Sequence, residues 1–117
     1  MELKNTYKFH KRGVDAEAIV QSYFLCRGWS VSSMRTKFDG VEVDLIVEKD
    51  NRRVLLEVKH LDNSWRAFER VGTKQIQRLK YVLLGMRKRA RNIKVEGYVV
   101  FVLVNEKLHF ISLDEVI

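Results

Sequence analysis

Two apolar runs, Val43 to Val47 and Val54 to Val58, carry Asp44, Glu57 and Lys59 in the order Asp-x12-Glu-x-Lys. Alternation along Glu42 to Glu48 predicts Val43, Leu45 and Val47 on one face and Glu42, Asp44, Ile46 and Glu48 on the other. The same period sends Glu57 and Lys59 to one side of the next strand. A hairpin turn at Asp50-Asn51 would pair the strands and bring two carboxylates and an ammonium onto one patch. Carboxylate and carbonyl oxygens suit a hard cation, and Mg2+ (with Mn2+ as a substitute) keeps several waters when few protein oxygens bind it. A bound ion polarises a phosphodiester oxygen and acidifies an attached water, while Lys59 orients that water or offsets negative charge in the transition state. The same three charges could instead form a cross-strand ion pair worth roughly 0.2 to 1 kcal/mol. The spacing by itself leaves both readings open.

A third carboxylate bears on that choice. Residues 14 to 28 read as a helix with the apolar stripe Ala16, Ile19, Val20, Tyr23 and Phe24, closed by Gly28. Glu17 falls at the edge of this stripe, near Val20 and Phe24. A charge at the rim of a core needs a partner or a role, and a nearby Lys or Arg would serve equally well. Glu42, two residues before Asp44 on the same expected face, stays ambiguous between an outer ligand, a supporting carboxylate and a partner for Lys59.

The pattern Gly13-x-x-Ala16-Glu17-x-x-Val20-x-x-Tyr23-Phe24-x3-Gly28-Trp29, then Glu42-Val-Asp44-Leu-Ile46, then Leu56-Glu57-Val58-Lys59, then Lys74-Gln75 resembles the PD-(D/E)XK nuclease superfamily. Within it the chain is similar to archaeal-type Holliday junction resolvases and to small YraN-type bacterial proteins, over most of residues 12 to 116. The resemblance implies Asp44, Glu57 and the backbone carbonyl of Val58 as metal ligands. It implies Lys59 as the catalytic lysine and Glu17 as the helix-borne acid that completes the site. Gln75 matches a polar position near the substrate phosphate. Two departures stand out: no proline precedes Asp44, and Arg35-Thr-Lys-Phe-Asp-Gly40 replaces the Ser-Gly loop of the junction resolvases. The fold implied is α/β, a restriction-endonuclease-like αβββαβ core with a mixed central sheet flanked by helices.

Composition points to an anionic partner. The formal charge is +7 with a pI of about 9.7, and from Arg70 to Val95 nine Lys or Arg occur with no Asp or Glu. Neutralising six or more phosphates would lower affinity by roughly 10³-fold between 50 and 200 mM salt. Ile76, Leu79, Val82, Leu83 and Met86 recur at helical spacing, so one side of a helix over 73 to 91 is core and only the other meets a ligand. Expected DNA contacts are Lys74, Gln75 and Arg78 on this helix, Arg35 and Lys37 before Asp44, and Lys11 and Arg12 in a basic arm over residues 1 to 12. A membrane surface is disfavoured, because Tyr81 alone offers an aromatic anchor.

Other chemistries find little support. His10, His60, His109 and the single Cys26 do not match a zinc-ligand spacing, and phosphate loops and serine-nucleophile motifs are absent. A lone cysteine, no secretory leader and no apolar run beyond seven residues fit a cytoplasmic protein. The remaining strands are expected at about 29 to 35, 41 to 48, 53 to 59, 97 to 104 and 107 to 111, all in one domain over 13 to 117. Leu61 to Gly72 reads as a loop beside the site, with Trp65 and Phe68 available to stack on a base or cover the core.

These features combine into an expectation of a Mg2+-dependent endodeoxyribonuclease acting on branched DNA, with roles in recombination and repair. The two-fold symmetry of a four-way junction favours a homodimer. The alternative is a nuclease-fold accessory protein that binds nucleic acid without turnover.

Overall fold

The computed structural model describes residues 16–60 and 72–115. The basic arm over 1 to 12, with Lys11 and Arg12, and the segment with Trp65 and Phe68 lie outside them. Helix α1 covers 16–25. Strands β1 (Ser30–Phe38), β2 (Val41–Lys49) and β3 (Arg52–His60) follow, then helix α2 (Thr73–Arg89), β4 (Lys94–Val102) and β5 (Leu108–Ser112). The sheet order is β1-β2-β3-β4-β5. The β3–β4 pair is parallel, with α2 between the two strands in sequence, and the other pairs are antiparallel. The expected mixed sheet flanked by helices is present.

Each face of the sheet has its own apolar layer. Leu79, Val82, Leu83 and Met86 of α2 pack with Val43, Ile46, Leu55, Val99 and Phe101. Ala16, Val20 and Phe24 of α1 pack with Leu45, Val47, Val54, Leu56 and Val100 on the other side. A strand buried on both faces reads as a continuous apolar run, which explains why Val99 to Val102 contains no polar residue. Gly97 lets α2 and the chain end approach β4. A Cβ there would lie 2.7 Å from Leu113 Cδ1 and 3.3 Å from Leu83 Cδ2.

The ends of the elements follow their local chemistry. Gly28, at φ +86, closes α1 in a Schellman motif: Trp29 N–H donates to Phe24 O at 3.0 Å and Gly28 N–H to Leu25 O at 3.1 Å. Asp39 and Gly40, at φ 52 and 79, form a two-residue turn that pairs Phe38 with Val41. Strand β1 therefore continues to Phe38, so Thr36 and Lys37, past the expected strand end at about 35, lie in the strand with Arg35. An Asp-Gly pair between alternating residues was the available signal for that hairpin.

Strict alternation in β2 does not hold. Val43 joins Ile46 in the α2-side layer, whereas Leu45 joins Val47 in the α1-side layer. The strand changes face around Asp44, so the expected grouping of Val43 with Leu45 and Val47 is corrected. Opposite it in the register stands Arg35, which takes a left-handed φ of 45. A non-glycine residue at positive φ inside a strand interrupts the regular pleat.

Candidate active site

The β2–β3 ladder runs from Lys49↔Arg52 to Leu45↔Leu56 and stops there. The next residues inward are Asp44 and Glu57. Where the backbones part, the Asp44 side chain takes over the ladder's role: Val58 N–H donates to Asp44 Oδ2 at 2.8 Å. In an extended strand the N–H and C=O of one residue point to the same side, so the Val58 carbonyl faces this gap too.

Glu57 is the buried charged residue of the described chain, at 6% exposure. Lys59 Nζ lies 3.6 Å from Glu57 Oε1, and its side chain remains one-third exposed. Burial first, then the charge and hydrogen bonding of Asp44, push the Glu57 carboxyl up to about 8, against the opposing pull of Lys59. Two carboxylates thus share a desolvated gap with one ammonium. An ordinary surface ion pair would hold its carboxylate ionised, whereas this site raises the energy of the ionised form. Sequence spacing cannot distinguish the two arrangements, but burial and proximity do.

Glu17 is held differently. Arg35 Nε donates to Glu17 Oε2 at 2.9 Å, and Nη2 lies 2.9 Å from the same oxygen. Hydrogen bonding and charge from Glu17 raise the Arg35 guanidinium pKa, burial lowers it, and the fields of Asp44 and Glu42 add to the rise. Arg35 therefore stands as a counter-ion among three acids. Among the described residues no three His, Cys, Asp or Glu side chains come together as a group able to hold one ion. The fold gathers Asp44, Glu57, Val58 and Lys59, while Glu17 is tied to Arg35 at the side. In sequence Glu17 is open to pairing with a Lys or Arg, and nothing there marks Arg35 as the partner. The left-handed conformation of Arg35 carries no mark in the sequence.

The donor set of this gap fits a hard divalent cation. Asp44 and Glu57 offer carboxylate oxygens, Val58 offers a carbonyl, and a cation would offset the charge that burial, and then Asp44, make costly on Glu57. Two carboxylates with one carbonyl, each giving one oxygen, leave half of an octahedral shell to water.

The expected nucleic-acid contacts separate into two groups. Gln75 and Arg78 line a cavity of about 570 Å³ together with Glu42, Gly40 and Val41, on the sheet face that also carries Glu57 and Lys59. Lys37, Lys74 and Arg78 are exposed, and Lys37 pairs in register with Glu42. Several cations of the basic run have structural partners instead. Arg87 donates through Nη1 and Nη2 to both oxygens of Asp114 at 2.8 Å and through Nε to Val95 O at 2.9 Å. Arg89 lies 3.4 Å from Asp39, and Lys94 lies 3.4 Å from Glu96. Asp114 and Asp39 come from distant parts of the chain and Glu96 lies just past the end of the run, so the run by itself reads as free charge in sequence.

Fold and site together define an α/β domain compatible with a restriction-endonuclease-like core, carrying an acid-acid-lysine cluster where two strands part. No family model matches the chain. Over 81 residues, 69% of its length, the chain is 33% identical to a UPF0102 protein of Dinoroseobacter shibae, and the matched stretch spans 60% of that protein. No helix among the described residues is long and apolar enough to cross a membrane.

Proposed function

We propose that this protein is a divalent-metal-dependent DNA endonuclease that acts on branched or otherwise structured DNA. The observation that carries this reading is the meeting of Asp44, Glu57 and Lys59 at the point where β2 and β3 part, with the Val58 backbone held between them. A divalent cation bound there supplies Lewis-acid polarisation of a phosphodiester and a more acidic water. Asp44 and Glu57 would hold Mg2+ or Mn2+ together with the Val58 carbonyl. Lys59, the partly exposed member, presents positive charge to the reacting phosphate. Gln75 and Arg78 position the DNA backbone from the start of α2, with Lys37 and Lys74 on the flanks. A homodimer would set two such sites on opposed strands, and exposed Tyr81 and Leu84 on α2 give it an apolar surface.

A second reading has its own support. The Glu17–Arg35 pair leaves the acid cluster short of a third carboxylate, and the UPF0102 similarity agrees with the YraN-type branch of the resemblance. Both suit a nuclease-fold accessory protein that binds nucleic acid without turnover.

Labelled linear, flapped and four-way DNA incubated with Mg2+, Mn2+ or EDTA separates the two readings. The endonuclease reading expects cation-dependent product from branched DNA, lost in Asp44→Asn. Tight, salt-sensitive binding with no product on any substrate would establish the accessory module in its place.

A further inference from the structure

At the far end of the sheet, away from Asp44 and Glu57, the rings of Tyr23, Phe24, Trp29, Tyr98 and Phe110 line an open cavity of about 330 Å³. Its position on β3 is marked by Val54, three residues or about 10 Å along the strand from Glu57, and alternation puts the two on opposite faces. The rings are not stacked on one another. Phe24 meets Tyr23 at 78° and Trp29 at 85°, and Tyr98 meets Phe110 at 90°. A perpendicular pair covers one face of one ring, where a parallel stack would cover a face of both.

Two guanidiniums complete the lining beside Val54. Arg27 sits 3.6 Å over the Tyr23 ring and Arg52 5.0 Å from Trp29. Their charges are treated differently. Glu96 accepts from Arg52 Nη2 at 3.2 and 3.3 Å. Arg27 donates from Nη1 to the Tyr23 carbonyl at 2.9 Å, and no carboxylate pairs with it among the described residues. The cavity therefore combines a planar aromatic lining, one neutralised cation as a fixed wall and one cation still able to accept an anion.

We infer that this cavity is a nucleotide-binding site, which takes a nucleobase against Trp29 and its 5′-phosphate on Arg27. An aromatic ring carrying an anion is the ligand class that satisfies both halves of the lining. The source is either an unpaired nucleotide of a DNA strand or a free mononucleotide. The DNA source rests on the nucleic-acid reading above.

The test uses the full-length Trp65→Phe protein, which leaves Trp29 as its one tryptophan, in EDTA so that no cleavage intervenes. Trp29 fluorescence is titrated with dAMP, with a short single-stranded oligonucleotide, and with the same oligonucleotide made abasic. Quenching by the intact oligonucleotide, at least tenfold weaker when it is abasic and again in Arg27→Ala, establishes the DNA source. Quenching by dAMP alone, with the same loss in Arg27→Ala, establishes the free nucleotide. Equal quenching by intact and abasic strands, no quenching by any of the three ligands, or no effect of Arg27→Ala overturns the site. Arg27 is exposed, so its removal leaves the core intact. Repeating the titration in Asp44→Asn keeps the two proposals apart, because the cavity should bind unchanged whether or not that residue supports cleavage.

Discussion

The two ends of the β2–β3 hairpin are built from the same strands and hold opposite electrostatic arrangements. At the turn, Lys49 pairs with Arg52, and the partners Glu48 and Arg53 form a 2.7 Å ion pair. Lys49 Nζ also donates to Arg27 O at 2.8 Å, and Ser30 Oγ to Glu48 O at 3.2 Å. Glu48, Lys49, Arg52 and Arg53 each have a partner of opposite sign or a carbonyl. At the other end the ladder stops, two acids face each other, and the buried one is pushed up to about 8. Charge in a strand is thus not diagnostic of function. What separates the ends is that one has its charges compensated and the other has them crowded out of water.

Removing Asp44 should break this contrast most severely. Asp44→Asn keeps an oxygen acceptor for Val58 N–H but halves the anionic pair, so cation-dependent cleavage should fall on the order of 10²-fold or more. The fold should remain, because loss of a like charge beside Glu57 offsets the weaker hydrogen bond. Asp44→Ala should add a stability loss of about 1 to 3 kcal/mol, since Val58 N–H is then left without its acceptor. Cleavage assays and urea unfolding on the two variants separate these effects.

The crowded end should also report itself through pH. Glu57 is raised from an ordinary 4.5 to about 8 in the folded protein, so the fold favours its protonated form. Between those values the native state binds the extra proton, and stability must fall as pH rises. Glu57's contribution is fully present below about 4.5 and is lost as pH passes through about 8. In metal-free buffer, melting temperature should decline over this window, and Glu57→Gln should flatten the decline. A decline of equal slope in Glu57→Gln would place its origin elsewhere.

Much of this contrast is visible in the residues themselves. Asp44, Glu57 and Lys59 stand in or beside apolar runs, and a hairpin turn at Asp50-Asn51 is enough to set Asp44 against Glu57 in the register. The α2 stripe of Leu79, Val82, Leu83 and Met86 emerged from helical spacing, and all four are buried. The strand ends are harder, because β1 runs on to an Asp-Gly turn and β4 begins at Lys94, where Lys94, Val95 and Glu96 alternate over too short a stretch, with Gly97 after it, to mark a strand before the apolar run from Tyr98. Least legible was the partnering of charges. Arg35 with Glu17 and Arg87 with Asp114 are contacts across 18 and 27 residues, and they depend on where strands bend rather than on local pattern. The change of face around Asp44 belongs to the same class, since it accompanies a left-handed Arg35 that no local preference requires.

Arg35 offers a way to shift the crowded end toward the compensated one. Its guanidinium offsets Glu17, Asp44 and Glu42, so it competes for the negative charge that a cation would use. Arg35→Gln should tighten Mn2+ binding several-fold, measured by calorimetry with the metal alone. Weaker Mn2+ binding in that variant would mean that Arg35 organises the acids rather than neutralising them.

The smallest effect belongs to the hairpin's turn end. Glu48 and Arg53 form a short ion pair, but both side chains are about one-third exposed, and exposed pairs seldom contribute more than about 1 kcal/mol. Glu48→Ala should therefore lower stability by no more than that, with cleavage and Mn2+ binding unchanged. The loss should shrink at high salt, where screening weakens partly exposed pairs. A loss as large as that of Asp44→Ala would mean that the turn end holds the hairpin's register, and that compensated charge matters as much here as crowded charge does at the gap.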